Sequence, residues 1–182
     1  LPGSRKQEIQ KKLPVMLSVS RYFPDHTFVV AAAPGLELSF YEPFLSAYPN
    51  VQMRQGHTYD ILLDSDAALV TSGTATLETA LLGIPEAVCY KGNAISYQIA
   101  KRLIKIPFIS LVNLILNKLV VREFIQDEMN EANLTQELKE LLTNQERRSQ
   151  LLEDFQQLRT MLEAGGSASE NAARIIVREL AK

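Results

Sequence analysis

The chain has 182 residues, which is enough for one domain with a substantial hydrophobic core. Hydrophobic residues make up 46% of the chain and charged residues 22%, as is typical of globular proteins. The net charge of −2 argues against a nucleic-acid-binding function, because it provides no broad positive surface. One cysteine, Cys89, excludes an internal disulfide, and two isolated histidines, His26 and His57, are too few to indicate a metal site. The composition therefore gives no indication of a metal or another cofactor.

The opening segment, Leu1-Pro-Gly-Ser-Arg5, has the pattern of a loop that leaves a β-strand and enters a helix. The first turn of this helix is predicted at Lys6, Gln7 and Glu8, and Ser4 and Gln7 have the spacing of a capping box. Such a loop normally follows a strand, and no strand precedes it in this sequence. We therefore expect the chain to be a fragment that begins just after a strand.

Predicted helices and strands alternate along the next ninety residues. Apolar periodicity and turn residues predict helices over residues 8–23 with a kink at Pro14, 36–48 with a break at Pro43, 59–64, 77–82 and 96–104. Strands are predicted over residues 27–31, 51–54, 67–70 and 86–90, and the last places Cys89 in a core as a buried thiol. Alternation of this kind predicts an α/β fold with a doubly wound parallel sheet, in a single domain over residues 1–182. Residues 131–182 form a helical tail, in which Gly165-Gly166-Ser167 divides the last two helices.

The most apolar window covers residues 104–117, but Lys105, Pro107, Ser110 and Asn113 interrupt it. It is shorter than the ~20 apolar residues that a membrane-spanning helix needs. A buried loop with a short strand is the favoured interpretation, because interfacial helices do not carry proline at their middle. Contact with a membrane surface is the alternative.

Two loops carry residues suited to binding an anion. Both are expected at the carboxyl ends of the strands, where doubly wound folds bind ligands. In the first loop, Gly3 permits close approach of the backbone, Ser4 adds a hydroxyl and Arg5 adds a planar donor that suits phosphate. The second loop repeats this chemistry with hydroxyl groups and backbone amides, on Ser72, Gly73, Thr74, Ala75 and Thr76. Glu78 follows in the first helical turns, where a carboxylate can accept hydrogen bonds from vicinal sugar hydroxyls.

Structural interpretations of the same residues stay open. Ser4 and Thr74 can be ordinary helix caps, Gly3 and Gly73 ordinary turn residues, and Arg5 can pair with Glu8. Neither loop has the spacing of a phosphate-binding P-loop or of a dinucleotide fingerprint. Two such loops at one sheet edge nevertheless favour a nucleotide diphosphate over a dinucleotide.

Several segments together resemble the lipid-A-disaccharide synthase family. They follow one another in the family's order across essentially the whole chain and match its C-terminal half. The segments are Leu1-Pro-Gly-Ser-Arg-Lys-Gln-Glu-Ile9, Ser65-Asp-Ala-Ala-Leu-Val-Thr-Ser-Gly-Thr-Ala-Thr-Leu-Glu78, Gly83-Ile-Pro85, Tyr90-Lys91, Ala100-Lys-Arg-Leu103, Ile109-Ser-Leu-Val-Asn-Leu114 and Val121-Arg-Glu-Phe-Ile-Gln126.

The resemblance implies a GT-B glycosyltransferase with two Rossmann-like domains and an active site between them. The family transfers 2,3-diacylglucosamine from UDP-2,3-diacylglucosamine to 2,3-diacylglucosamine-1-phosphate (lipid X) and releases UDP. It inverts the anomeric centre and uses no protein-bound metal. The resemblance thus implies that this chain is the UDP-sugar-binding domain, and that the N-terminal domain carrying the catalytic carboxylate is missing, so that this chain alone is inactive.

The resemblance also implies roles for individual residues. Gly3, Ser4 and Arg5 would face the pyrophosphate, with Arg5 stabilising the leaving group, and Glu78 would bind the ribose. Further pyrophosphate donors would come from residues 72–76. Tyr90 and Lys91 would lie near the uracil. Asn113, Glu123 and Gln126 match polar positions near the cleft, without a defined role.

The implied partners are the two lipid substrates and the chain's own N-terminal domain, with a swapped homodimer through the helical tail as a further possibility. The implied location is cytoplasmic, peripheral on the inner membrane. Two alternatives remain at this stage. One is another GT-B-type nucleotide-sugar enzyme, either the peptidoglycan N-acetylglucosaminyltransferase or a UDP-N-acetylglucosamine epimerase. The other is a non-catalytic interaction module.

Overall fold

The computed structural model of the chain describes residues 1–92, 107–164, 166 and 168–180. The helix predicted over residues 96–104 lies outside them. The described residues form five strands: β1 Phe28–Ala32, β2 Val51–Gln55, β3 Ala68–Thr71, β4 Glu86–Tyr90 and β5 Glu123–Ile125. Their α-helices are α1 Lys6–Ser18, α2 Glu42–Leu45, α3 Thr58–Leu63, α4 Thr74–Leu81, α5 Leu111–Leu116, α6 Glu131–Thr143, α7 Gln145–Ala164 and α8 Ala168–Leu180.

The strands form two parallel sheets. β1 pairs with β2, starting with Phe28 opposite Val51. β4 lies between β3 and β5, with Ala68 opposite Glu86 and Val88 opposite Glu123. Parallel strands separated by helices confirm the predicted α/β class, and the pairing brings the carboxyl ends of neighbouring strands to one edge.

Leu1 lies beside β3 as the last residue of a parallel strand would. Its nitrogen donates a hydrogen bond to the carbonyl of Leu69 at 2.8 Å, and its carbonyl accepts one from the N–H of Thr71 at 2.9 Å. A residue that bonds to two alternate residues on its neighbour shows the parallel pattern. The chain therefore enters the Pro2-Gly3-Ser4 turn at the edge where β3 ends.

Two hydrophobic clusters hold these elements together. The larger joins β4 and β5 to the tail, whose helices α6 and α7 bury Leu134, Leu141, Leu151 and Leu158. α6 packs against α1 and β4, and α4 packs against β3, β4, α5 and α7. The smaller cluster joins α1 to β1 and the residues around Tyr41. The predicted helical tail is thus confirmed, although the apolar side chains of α8 are exposed.

Three local predictions are wrong. The predicted first turn at Lys6 is confirmed, but the Ser4 capping box is not formed, because the carbonyl of Arg5 accepts the first helical hydrogen bonds and makes Arg5 the N-cap. Residues 36–48 do not form one helix but a 3-10 turn, Leu38–Phe40, and then α2, whose first turn contains Pro43. The apolar window contains a helix, α5, instead of a strand, because Ser110 caps it by accepting from the N–H of Asn113.

No helix in the described part of the chain is both long and apolar enough to cross a membrane. Cys89 is fully buried in β4, and burial raises the pKa of its thiol to about 12, which confirms that it is a core residue. His57 is exposed and lies 3.1 Å from the Asp60 carboxylate.

Glu86 is the least expected residue of the core. It is 0% exposed at the start of β4, and both its carboxylate oxygens lack a hydrogen-bond partner among the described residues. Burial raises its pKa well above the ordinary value for glutamate. The folded protein therefore binds this proton more tightly than the unfolded chain does, and ionisation of Glu86 opposes folding.

We predict that Glu86→Gln raises the free energy of unfolding at pH 8 by about 1–3 kcal/mol. The gain shrinks as the pH falls towards the unfolded pKa, ~4.3, because a protonated glutamate carries no charge to desolvate. Urea titrations of both proteins between pH 4.5 and 8 measure this difference in the free energy of unfolding. Exposed Glu163 provides the control, since Glu163→Gln should change nothing. A destabilised Glu86→Gln variant at pH 8 would contradict the prediction.

Candidate nucleotide-binding site

The two loops singled out in the sequence meet at one end of the sheets. A cavity of about 260 Å³ lies between them, lined by Gly3, Ser4, Ser72, Gly73, Thr74 and Ala75 and by residues 31–34 at the end of β1. We call this cavity the cradle. The loops that follow β1, Leu1 and β3 meet at the cradle. Doubly wound folds bind their ligands at this position, beyond the carboxyl ends of the strands.

Two glycines shape the cradle through backbone conformations that other residues rarely adopt. Gly3 has φ of 110°, and a Cβ added to it would lie 3.1 Å from an oxygen of Glu8 and 3.5 Å from Cγ2 of Thr71. Gly73 has φ of 154° and ψ of −164°, in a region that is essentially restricted to glycine. No described atom lies within 4 Å of a Cβ added to Gly73. Gly3 is therefore required by both conformation and close packing, whereas Gly73 is required by conformation alone.

Helices α1 and α4 both begin at the cradle. Their N-caps are Arg5 and Gly73, and no described side chain caps either helix through a hydrogen bond. The first N–H groups of a helix lack partners within the helix, and the helix dipole adds positive potential at the same end. The two helix starts can therefore supply backbone donors to an anion, as the sequence predicted for the turns at Gly3 and residues 72–76.

Hydroxyl groups around the cradle differ in how they are used. Ser72 is half-buried and donates to the carbonyl of Ile109 at 3.2 Å. Thr76 is buried and donates to the carbonyl of Gly73 at 2.8 Å, so its hydroxyl holds the turn. Ser4 and Thr74 are exposed at the mouth of the cradle. These two are the predicted hydroxyls best placed to reach a ligand.

Thr71 is a cradle residue that the sequence analysis missed. It ends β3, is buried, and lines the cradle between Gly3 and Ser72. Its hydroxyl has no hydrogen-bond partner among the described residues. An unsatisfied buried hydroxyl is unfavourable in a folded protein, so this one is a candidate for ligand binding. In the sequence, a threonine at the end of an apolar strand carries no distinguishing signal.

The carboxylate residue Glu8 lines the cradle, and the two cations that it contacts lie outside the lining. Arg5 is 82% exposed and its guanidinium lies 3.4 Å from Glu8, so the predicted surface pairing of these residues is present. Glu8 also lies 3.6 Å from the ammonium of Lys12, whose pKa is lowered by burial. The pair at Arg5 is weak because it is solvated, and Arg5 is free to turn towards an anion. Glu78 is half-buried in the second turn of α4.

Tyr90 ends β4 and is followed by Lys91, and both are half-buried. The Tyr90 hydroxyl lies 2.8 Å from the position of a Cβ added to Gly92, so its side chain folds back over the following loop. Neither residue lines the cradle.

Buried Asn113 and half-buried Glu123 form a hydrogen-bond network that supports the neighbouring loop. Glu123 accepts hydrogen bonds from the N–H groups of Ile109 and Ser110, at 2.9 Å each, and from the Asn113 amide at 2.8 Å. The Asn113 oxygen accepts from the N–H groups of Val120 and Val121, at 2.9 Å each. Because Ile109 in turn accepts from Ser72, this network reaches the cradle through one backbone carbonyl.

Gln126 follows β5 with a left-handed backbone, φ of 54°, and its buried amide nitrogen has no partner among the described residues. Like Arg5, Glu78, Asn113 and Glu123, it does not line the cradle. Of the predicted site residues, Gly3, Ser4 and residues 72–75 thus line the cradle together. The other predicted site residues lie outside its lining.

Comparison with known proteins decides the family. A family model described as lipid-A-disaccharide synthetase matches residues 1–178. The chain belongs to the lipid-A-disaccharide synthetase family.

Proteins named lipid-A-disaccharide synthase are similar over nearly all of the chain. The protein from Syntrophus aciditrophicus is 39% identical over 178 residues, which cover 94% of this chain and 46% of that protein. The protein from Anaeromyxobacter sp. strain K is 34% identical, covering 97% and 48%. That from Geobacter sulfurreducens is 33% identical, covering 100% and 48%. The chain therefore spans about half the length of the curated relatives it matches.

Membership of this synthetase family confirms the resemblance stated from the sequence. It favours this family over the peptidoglycan N-acetylglucosaminyltransferase, the epimerase and the interaction module. The family match includes Asn113 and Glu123. Within the described chain, the hydrogen bonds of these two side chains go to backbone groups or join the two side chains to each other. These two residues therefore organise the fold beside the cradle.

We predict that Asn113→Ala lowers the free energy of unfolding by about 2–4 kcal/mol, because it removes one of the three hydrogen bonds to the carboxylate of Glu123 and leaves the N–H and carbonyl of buried Val121 without the Asn113 side chain as partner. Urea denaturation measures the loss. Gln157→Ala, at an exposed amide on α7, is the control and should change stability by less than about 0.5 kcal/mol. Equal stability of the two variants would show that the network contributes little.

Proposed function

We propose that this chain is the nucleotide-sugar-binding half of a lipid-A-disaccharide synthase. The cradle would hold the pyrophosphate of UDP-2,3-diacylglucosamine, and the complete enzyme would transfer the diacylglucosamine unit to the 6-hydroxyl of lipid X. One observation carries the proposal: two uncapped helix starts and two glycine turns converge on one cavity at the carboxyl ends of the strands. Membership of the synthetase family supports the same ligand.

The position of each residue relative to the cradle determines the role that we propose for it. Backbone N–H groups of α1 and α4, with Ser4 and Thr74, would bind the phosphates. Arg5 would turn from Glu8 to stabilise the charge that develops on UDP as the glycosidic bond breaks. Glu78 would accept from the ribose hydroxyls, and Tyr90 and Lys91 would lie towards the uracil. We infer structural roles for Thr76, Asn113 and Glu123. Gln126 would lie at the edge of the cleft, without a defined role.

The rest of the reaction would take place against a second domain. We place the general base that deprotonates lipid X in the preceding half of the protein, so the present chain would bind UDP without turnover. The exposed apolar side chains of α8, Ile175, Ile176, Val177 and Leu180, fit a helix that packs on that domain or on a second copy. We further propose a cytoplasmic enzyme at the surface of the inner membrane, where its lipid substrates lie.

We predict that UDP binds saturably to the protein in isothermal titration calorimetry and that GDP does not reproduce this binding. Arg5→Ala and Glu78→Ala should each weaken UDP about tenfold to a hundredfold, because each removes a hydrogen bond to or from a charged group. Arg174→Ala and Glu163→Ala, at exposed positions, are matched controls that should leave affinity unchanged. Unchanged affinity in both site variants would remove Arg5 and Glu78 from the site.

Thr71 gives a second test with two readouts. We predict that Thr71→Val weakens UDP about threefold to tenfold, because the ligand loses one hydrogen-bond donor, while stability is unchanged or higher. Thr76→Val is the matched control, since its hydroxyl already bonds to Gly73 and its loss should lower stability by about 1 kcal/mol. Titration and thermal unfolding of both variants measure these effects. A Thr71→Val variant that binds UDP normally would show that the hydroxyl is not used.

A further inference from the structure

The cradle is lined by a charged side chain of the wrong sign for a diphosphate. Among the described residues that line it, Glu8 is the only one with an ionisable side chain. A Cβ added to Gly3 would lie 3.1 Å from Oε2 of Glu8, so this carboxylate sits directly beneath the Gly3 turn. A carboxylate so close to the turn repels a phosphate bound there unless a cation neutralises it.

Two cations contact Glu8, one at each carboxylate oxygen. The guanidinium of Arg5 lies 3.4 Å from Oε1, and the Arg5 side chain is 82% exposed. The ammonium of Lys12 lies 3.6 Å from Oε2, and the Lys12 side chain is only 3% exposed. Solvent and salt therefore weaken the attraction between Arg5 and Glu8, whereas the attraction between Lys12 and Glu8 is screened much less.

Lys12 is an exception among the buried residues of α1. The others are apolar: Ile9, Leu13, Met16 and Leu17. A lysine is almost never fully buried unless it is paired, because burial of its charge is unfavourable. Burial accordingly lowers the pKa of Lys12, while the neighbouring Glu8 favours the charged form. Within the described part of the chain, Glu8 is the acidic side chain that lies within 4 Å of Lys12, so the charge of Lys12 is directed at Glu8.

Arg5 and Lys12 differ in what they can do when a ligand binds. In the proposed function, Arg5 turns from Glu8 towards the leaving group, and its contact with Oε1 is lost. Lys12 lies outside the lining of the cradle and is buried, so it stays beside the carboxylate. Of the two cations, only Lys12 then balances the charge of Glu8.

We propose that Lys12 is a positioning residue for diphosphate binding. Its buried ammonium neutralises Glu8 and keeps the carboxylate beneath the Gly3 turn when Arg5 moves to the ligand, and Lys12 itself does not touch the ligand. The inference rests on the proposed function for the nature of that ligand. It gives the cradle one permanent cation, Lys12, and one exchangeable cation, Arg5.

A double-mutant cycle with two anions tests the proposal. UDP and inorganic pyrophosphate are titrated separately by calorimetry into the protein and into its Lys12→Met, Glu8→Gln and doubly substituted variants. We expect Lys12→Met to weaken both anions about tenfold to hundredfold, because it leaves the carboxylate of Glu8 uncompensated. In the Glu8→Gln background, Lys12→Met should weaken them by less than about threefold, because no carboxylate remains to be neutralised.

Lys11→Met is the matched control. It removes the same charge from the neighbouring residue of α1, which is exposed, and it should change either affinity by less than about twofold. Thermal unfolding of every variant verifies that it is folded. If Lys12→Met does not fold, Lys12→Gln takes its place in the cycle, since it keeps a polar group beside Glu8 without the charge.

Two results would overturn the proposal and leave the UDP site standing. One is unchanged affinity in the Lys12→Met variant. The other is an equal loss with and without Glu8→Gln, which would mean that Lys12 acts through the fold or through its own charge. Binding of pyrophosphate without binding of UDP would count against the proposed function alone, because the cycle is then decided with pyrophosphate. A folded protein that binds neither anion would refute both.

Discussion

Two hydrogen bonds between Leu1 and β3 determine how the rest of the candidate site is assembled. They hold the chain parallel to β3 until Pro2, so the Gly3 turn lies against Thr71 and opposite the turn at Gly73. The two turns belong to loops about seventy residues apart in sequence, and neither turn forms a cavity by itself. Their approach gives one cavity two helix starts, whose dipoles add because both positive ends face the same volume. The shape of the cradle is thus a consequence of strand pairing as much as of the residues in the loops.

Side chains on the far side of β4 support this arrangement. Glu123 and Asn113 bind five backbone N–H or carbonyl groups between them and hold residues 109–110 in place. Ser72 then bonds to Ile109, so the second turn rests on a loop whose own position is fixed by buried polar groups. A hydrogen-bond network whose polar groups are all paired resists movement, because each member would lose its partners on moving. The cradle therefore rests on a rigid base on the β3–β5 side, whereas its other wall follows from the backbone at Leu1.

The sequence predicted four of the five strands of the described residues, among them the apolar runs at residues 67–70 and 86–90, which turn residues bound. It missed β5, Glu123–Ile125, which has only three residues. The two glycine turns were also predictable, since glycine beside small hydroxyl residues marks a backbone that others cannot adopt. Failures occurred where a non-local contact decides the outcome. The N-cap of α1 is Arg5 instead of Ser4 because of the turn at Gly3, and α5 depends on the Ser110 cap within a network that includes Glu123. Thr71 was missed for a similar reason, because only the three-dimensional structure shows that its hydroxyl faces a cavity and lacks a partner.

If the cradle holds a diphosphate as proposed, the binding energy has to come from few cations. Arg5 is exposed and engaged with Glu8, and the ammonium of Lys12 is paired with the same carboxylate behind the Gly3 turn. The carboxylate of Glu8 would repel a phosphate if it were alone, but it contacts both cations. The main hydrogen-bond donors to a phosphate would then be backbone N–H groups. Folding already orients these groups, so ligand binding carries no further free-energy cost for orienting them. Such donors hold a phosphate without the strong salt dependence of solvated ion pairs, since they are fixed and partly shielded from water. In the proposed reaction, Arg5 would exchange its exposed contact with Glu8 for the charge that develops on the leaving group.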